Sequence, residues 1–182
     1  MTSIVLFAAV SALFVWISRH ALRKPDSHGF YRFFAWECIL ALVLINFPVW
    51  TVNPFAPHQL VSWTLLAVSV FLVVDGLRRL RREGRPGAAR TDAELLSFER
   101  TSQLVTSGTY RYIRHPMYAS LILLAWGAFF KQASWTGAAL ASGASVALLL
   151  TALRDEAECI AHFGEAYADY MGTSKRFVPF LV

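Results

Sequence analysis

The sequence predicts an all-α polytopic membrane protein with about five transmembrane helices, its N-terminus outside and its C-terminus cytoplasmic. Three observations lead there. Of 182 residues, 56% are hydrophobic and only 16% charged, against roughly 45–50% and about 25% in ordinary soluble domains. Apolar stretches recur at Ile4–Ser18, Phe33–Val52, Leu60–Val74, Tyr118–Phe130 and Trp135–Thr151. Between them the basic residues alternate: Arg19–Arg32, Arg78–Arg114 and Arg154–Arg176 hold 16 of the 17 Lys and Arg, whereas Asn53–Gln59 holds none and Lys131 stands alone in the fourth connection. Basic connections stay cytoplasmic, which fixes the orientation.

The first stretch lacks a basic segment ahead of its apolar run and a small-residue cleavage site before Arg19 and Arg23, so it reads as a retained span and not a secretory leader. The second carries Glu37 and Asn46, and Pro48, which is expected to bend it. An acid inside a span is a functional candidate, though Glu37 lies near enough to the headgroups to snorkel or pair with Arg32. The third closes on Asp75. The last two are joined by only Lys131-Gln132-Ala133-Ser134 and form an antiparallel hairpin, with Gly137, Ala138, Ala141, Gly143, Ala144 and Ala147 permitting close helix approach. Several stretches fall short of the roughly 20 residues that cross a hydrocarbon core of about 30 Å, so flanking residues must extend them. The organisation is one integral membrane domain over 1–182: three spans in 1–75, a cytoplasmic loop in 76–117, the hairpin in 118–151 and a cytoplasmic tail helix in 152–182.

A net charge of +5 comes mainly from this topology. The run Arg78, Arg79, Arg81, Arg82 and Arg85 abuts a span and suits anionic headgroups, so no nucleic acid partner is expected. Cys38 and Cys159 lack disulfide or zinc spacing and read as packing; no metal is expected.

The polar chemistry concentrates in two places. The loop opens with Gly84 and Arg85-Pro86-Gly87, a loop or broken helix. It ends in Leu104-Val105-Thr106-Ser107-Gly108-Thr109-Tyr110-Arg111-Tyr112-Ile113-Arg114-His115-Pro116-Met117-Tyr118, a donor-rich entrance with aromatic walls that also suits an interfacial aromatic belt. After the fifth span, Ile160, Phe163, Tyr167 and Tyr170 repeat at helical spacing behind Arg154-Asp155-Glu156, with Glu156 and Phe163 able to share a broad face. Asp155, Glu158, Glu165 and Asp169 read as solvated surface and His162 as a helix-surface histidine. Carboxylate and arginine suit the ammonium and carboxylate of an amino-acid-like cofactor, and aromatic walls suit a nucleobase. No G-x-G-x-x-G run follows a strand, which excludes a Rossmann site.

Arg114-His115-Pro116-Met117-Tyr118, then Arg154-Asp155-Glu156, Phe163-Gly164, Tyr167, Tyr170 and Arg176-Phe177-Val178-Pro179, resemble the signature of integral membrane methyltransferases typified by isoprenylcysteine carboxyl methyltransferase and its phospholipid methyltransferase relatives. The resemblance covers the last 80 residues or so. It implies S-adenosyl-L-methionine as cofactor, with Leu104, Val105, Tyr110, His115, Pro116 and Tyr118 around it and Glu156 against its amino-acid portion. Arg154 would orient substrate or the cofactor carboxylate, and His115 is the candidate base. Short extramembrane segments favour a small lipophilic or lipid acceptor, with prenylated cysteine, a phospholipid amine, an isoprenoid and a simple thiol all open, and the basic loops put the site on the cytoplasmic face of a membrane expected to be of the bacterial inner kind; the oligomeric state, a monomer included, stays open. Thr109 stands where such sequences often have proline, which should loosen the turn, Asp155 replaces the first of two glutamates, and Ser120 adds a hydroxyl near the cofactor channel. The alternatives are a sterol-reductase-like membrane enzyme using NADPH and a non-enzymatic membrane partner; adenosylmethionine binding separates all three.

Overall fold

A computed structural model describes residues 2–85, 95–96 and 99–180. The expected loop or broken helix after Arg85 lies outside the described residues over 86–94.

Helices α1 (Thr2–Ser18), α2 (His28–Asn46), α3 (Pro57–Arg82), α4 (Pro116–Phe129), α5 (Trp135–Phe163) and α6 (Glu165–Thr173) account for most of the chain. Their starts follow local chemistry. Pro57 and Pro116 occupy the first turns of α3 and α4, where the missing N–H costs no intrahelical bond. At α5 the Ser134 Oγ accepts from the Gly137 N–H at 3.0 Å, satisfying one orphan donor. Pro48 ends α2 in a 3₁₀ turn over Phe47–Val49 instead of bending a continuing helix.

Three helical segments, His28–Val49, Pro57–Arg82 and Trp135–Phe163, are long and apolar enough to cross a membrane, while α1 and α4 are shorter. The basic residues Arg78–Arg82 continue α3 as helix, since Arg is a good helix former once clear of lipid. The 29 residues of α5 extend about 43 Å, so its last turns project beyond a core of about 30 Å. The tail sequence Arg154–Phe163 is therefore the end of α5. Gly164, at φ +60°, breaks the helix there because the left-handed region suits residues without Cβ.

The core lies between α2, α4 and α5. Ala35, Ile39 and Leu42 of α2 meet Tyr118, Ala125 and Ala128 of α4 and Ala141, Ala144, Ala147, Leu148 and Ala152 of α5. Alanines let the backbones approach closely, where dispersion replaces a hydrophobic drive that lipid cannot supply. Helix α3 packs on α4, and α1 packs chiefly on α2. Large apolar side chains such as Ile4, Val5, Trp16, Val70, Phe71 and Val146 are left exposed, as a lipid-facing surface requires.

The 14 residues of α4 extend only about 21 Å, and its C-terminal carbonyls, which have no partner within the helix, need one elsewhere. Neighbouring helices supply them. Asn46 Nδ2 donates to the Ala128 carbonyl at 2.8 Å, Ser62 Oγ to that of Gly127 at 2.7 Å and Gln59 Nε2 to that of Lys131 at 3.4 Å. Lys131, 2% exposed, donates to Gln59 Oε1 at 3.0 Å and lies over the Trp63 ring, 3.1 Å from its centroid. Asn46 thus has a structural task. Glu37 accepts from Ser11 Oγ at 2.5 Å and joins α1 to α2, while Arg32 pairs with Glu99.

Candidate active site

The last described turn of α3, the segment before α4, the end of α5 and α6 converge on one cavity. Two devices hold the segment before α4. At its start Gly108, at φ +58°, lies against the Arg79 guanidinium, leaving no space for a Cβ. The Thr109 N–H and Oγ1 both donate to Asp75 Oδ2, at 3.2 and 2.8 Å. Thr109 therefore anchors the turn it was expected to loosen, because a proline would lack that N–H. At its end the chain pairs with the tail: Arg114 N–H donates to the Lys175 carbonyl at 2.7 Å and His115 N–H to that of Arg176 at 3.2 Å.

This pairing gathers three basic groups around Glu156, which is 4% exposed. Glu156 Oε1 accepts from Arg114 Nε and Arg176 Nε, both at 3.0 Å, and Oε2 from Arg176 Nη2 at 2.8 Å. His115 Nε2 lies 3.3 Å from Glu156 Oε1, and its Nδ1 3.5 Å from Asp155 Oδ2. Burial works against a charge on His115, but these two carboxylates outweigh it and hold its pKa above 6.5. Its ring stacks on Tyr118 at 5.3 Å, whose hydroxyl donates to Asp155 Oδ2 at 3.1 Å.

The cavity and its open mouth together hold about 720 Å³ of empty space. Leu95, Leu104, Val105, Tyr110, Tyr167 and Tyr170 give it apolar and aromatic walls, and Glu99, Arg114, His115 and Asp155 its charged groups. Burial pushes the Tyr110, Tyr167 and Tyr170 phenols up, so all three keep their protons. Tyr170 donates to the Tyr110 carbonyl at 2.5 Å, which ties α6 to the turn.

Of the residues singled out in the sequence, Leu104, Val105, Tyr110, His115 and Tyr118 line this cavity. Pro116 is buried at the start of α4 behind it. Glu156 also stands behind the wall, and Arg154 points elsewhere, half exposed with Asp26 at 3.8 Å. Ser120 donates to the Met117 carbonyl at 2.6 Å and does not line the cavity. The side chains of α5 that do are Asp155, Cys159 and Phe163, an i, i+4, i+8 row. Asp155, read from sequence as solvated, is thus a cavity residue, and Arg114 and Glu99 join it. Spacing along α5 could have found Asp155 once Phe163 was chosen.

His28, Asp155 and Glu158 bring potential ligand atoms within 4.8 Å of one another. Those atoms are already engaged: His28 Nδ1 bonds Glu158 Oε2 at 2.8 Å and its Nε2 faces Glu99 at 3.5 Å. A metal would have to displace these ion pairs beside Arg32.

A family model described as phospholipid methyltransferase matches residues 58–169, from the first turn of α3 into α6. No curated protein and no solved structure gives a significant match.

Proposed function

The chain belongs to the phospholipid methyltransferase family and is an adenosylmethionine-dependent enzyme of the membrane; from that premise we propose methyl transfer to a small lipophilic acceptor at the cytoplasmic membrane face, from the cavity at the ends of α3, α4 and α5. The observation that carries this reading is the presence of a guanidinium, Arg114, and a carboxylate, Asp155, on the wall of a cavity built mainly of aromatic and aliphatic side chains. An amino-acid moiety presents one carboxylate and one ammonium, which match a guanidinium and a carboxylate.

These residues fit adenosylmethionine. Arg114 and Asp155 would hold the amino-acid end, and Leu104, Val105, Tyr110 and Tyr118 the adenosine. When bound, the cofactor supplies an electrophilic methyl group. The protein's contribution is alignment and exclusion of water, since a displacement between two held partners gains from fixed orientation. Tyr118 and His115 fix the Asp155 carboxylate from two sides. His115 holds its proton between Asp155 and Glu156, so its role is positioning, and an acceptor already nucleophilic without a base suits the site. Arg114, braced by Glu156, takes the part the sequence resemblance gave to Arg154.

Orientation rests on charge: the cavity adjoins the end of α3 that carries Arg78, Arg79, Arg81 and Arg82, the side that stays cytoplasmic. Five spans, with α1 and α4 extended by their flanks, complete the topology as one domain. The test is transfer of labelled methyl from adenosylmethionine into extracted membrane lipids. Wild type transfers label, and Arg114→Met and Asp155→Asn fall at least tenfold. A folded wild type that transfers none, or variants with unchanged transfer, overturns the proposal.

A further inference from the structure

Arg114 and Asp155 account for the two charges of the cofactor's amino-acid end, and the tyrosines and aliphatic side chains for its base. The ribose hydroxyls remain. On one side of the cavity, Leu95, Thr101, Leu104 and Val105 accompany the charged side chain of Glu99, which the sequence alone does not single out.

Glu99 is fixed from behind by α2, which lies outside the family-matched segment. Arg32 Nη1 forms an ion pair with Glu99 Oε1, the Leu96 N–H donates to Oε2 at 2.8 Å, and His28 Nε2 lies 3.5 Å from Oε2. His28 in turn anchors on α5, its Nδ1 and backbone N–H reaching Glu158 at 2.8 and 2.9 Å. His28 and Arg32 are 0% and 3% exposed, so this bracing is shielded from water. Burial works against the Glu99 charge, but Arg32 and His28 overcome it and bring its pKa to about 2.

Two consequences follow. A carboxylate has roughly four acceptor positions; among the described residues Arg32, the Leu96 N–H and His28 approach three of them, and the side chain also lines the cavity. The Arg32 guanidinium, paired with Glu99 from behind, already matches its charge. Glu99 therefore meets the ligand as a fixed acceptor more than as a bare negative charge, a character that suits a hydroxyl better than a sulfonium. Acidic side chains recognise ribose hydroxyls in this manner in unrelated nucleotide sites.

We propose that Glu99 is a further cofactor-contacting residue that accepts a hydrogen bond from a ribose hydroxyl, and that Arg32 and His28 are positioning residues acting through it. This rests on the adenosylmethionine reading and extends the site to α2.

The test compares binding of adenosylhomocysteine with binding of its 2′-deoxy and 3′-deoxy analogues to the purified full chain. Wild type binds the parent at least tenfold tighter than the weaker analogue, as a hydrogen bond to a charged group should give. In Glu99→Ala and Glu99→Gln that ratio shrinks at least threefold. Arg32→Met narrows it as well, and Arg32→Lys restores part of it, a pattern that loss of packing alone does not produce because it weakens parent and analogues alike. A ratio below threefold in wild type overturns the proposal without any variant. A ratio unchanged in whichever Glu99 variants fold also overturns it. Absence of adenosylhomocysteine binding by folded wild type overturns the adenosylmethionine reading with it, whereas binding without discrimination removes this proposal alone.

Discussion

Replacing Glu156 with alanine separates a residue that braces the site from one that touches the cofactor. Its carboxylate receives Arg114 Nε, Arg176 Nε and Arg176 Nη2 within 3.0 Å, with His115 Nε2 at 3.3 Å. Each charge-assisted bond is worth about 1.5–3 kcal/mol, but they share one group and do not add. Removing one member of a buried ion network costs about 3–5 kcal/mol, because the remaining charges lose their partner. For a chain of this size that corresponds to a fall of roughly 6–20 °C in melting temperature. The assay is tryptophan-monitored thermal unfolding of the purified, cofactor-free protein in a fixed detergent. Glu156→Ala is expected to melt well below wild type before any ligand is added. If instead it melts within about 2 °C of wild type yet binds adenosylhomocysteine more than tenfold more weakly, Glu156 is a direct cofactor contact and the bracing account fails.

Acid should act through Glu99. Its folded pKa of about 2 lies below the ordinary 4.5, so its contribution is complete above 4.5 and is lost as pH falls toward 2; in Arg32→Met the acid limb of an unfolding titration should be weaker. His115 behaves oppositely: its folded pKa is raised above 6.5, so its contribution is present below 6.5 and lost as pH rises through the elevated value, and His115→Gln should flatten the alkaline limb of the same titration. At the far end of the bundle, Asn46→Leu and Gln59→Leu each strand carbonyls of the short α4 and its loop and should cost about 1–3 kcal/mol, read by thermal unfolding; a neutral result would show that the carbonyls find other partners. Gly108→Ala meets both the positive φ and the Arg79 guanidinium, and should lower adenosylhomocysteine affinity through the displaced Tyr110 turn while leaving helix content by circular dichroism unchanged.

The helices were readable because apolarity in lipid dominates every other signal, and α5 shows where that signal stops. Its apolar run ends near Thr151, but its hydrogen bonds continue to Phe163, since Arg154–Glu158 are acceptable helix residues outside the bilayer. The same effect carries α3 through Arg78–Arg82. Site residues were readable where a contiguous motif carries them, as with Tyr110, His115 and Tyr118. Asp155 and Glu156 are one position apart, about 100° around the helix, and only packing against α4 decides which faces the cavity. Glu99 lies in a loop without periodicity, and its partners Arg32 and His28 are some 70 residues away in sequence, so nothing local marks it. The Thr109 bond to Asp75 was hidden for the same reason, and only the fold reveals why a residue with an N–H belongs there.

In the proposed site Arg114 and Asp155 hold the amino-acid end of the cofactor. Equilibrium binding of adenosylhomocysteine to wild type and to Asp155→Asn tests it most directly. Wild type is expected to bind measurably and Asp155→Asn to lose about tenfold or more, the value of one charge-assisted bond, with thermal unfolding confirming that both are folded. Equal affinities in the two proteins would contradict it.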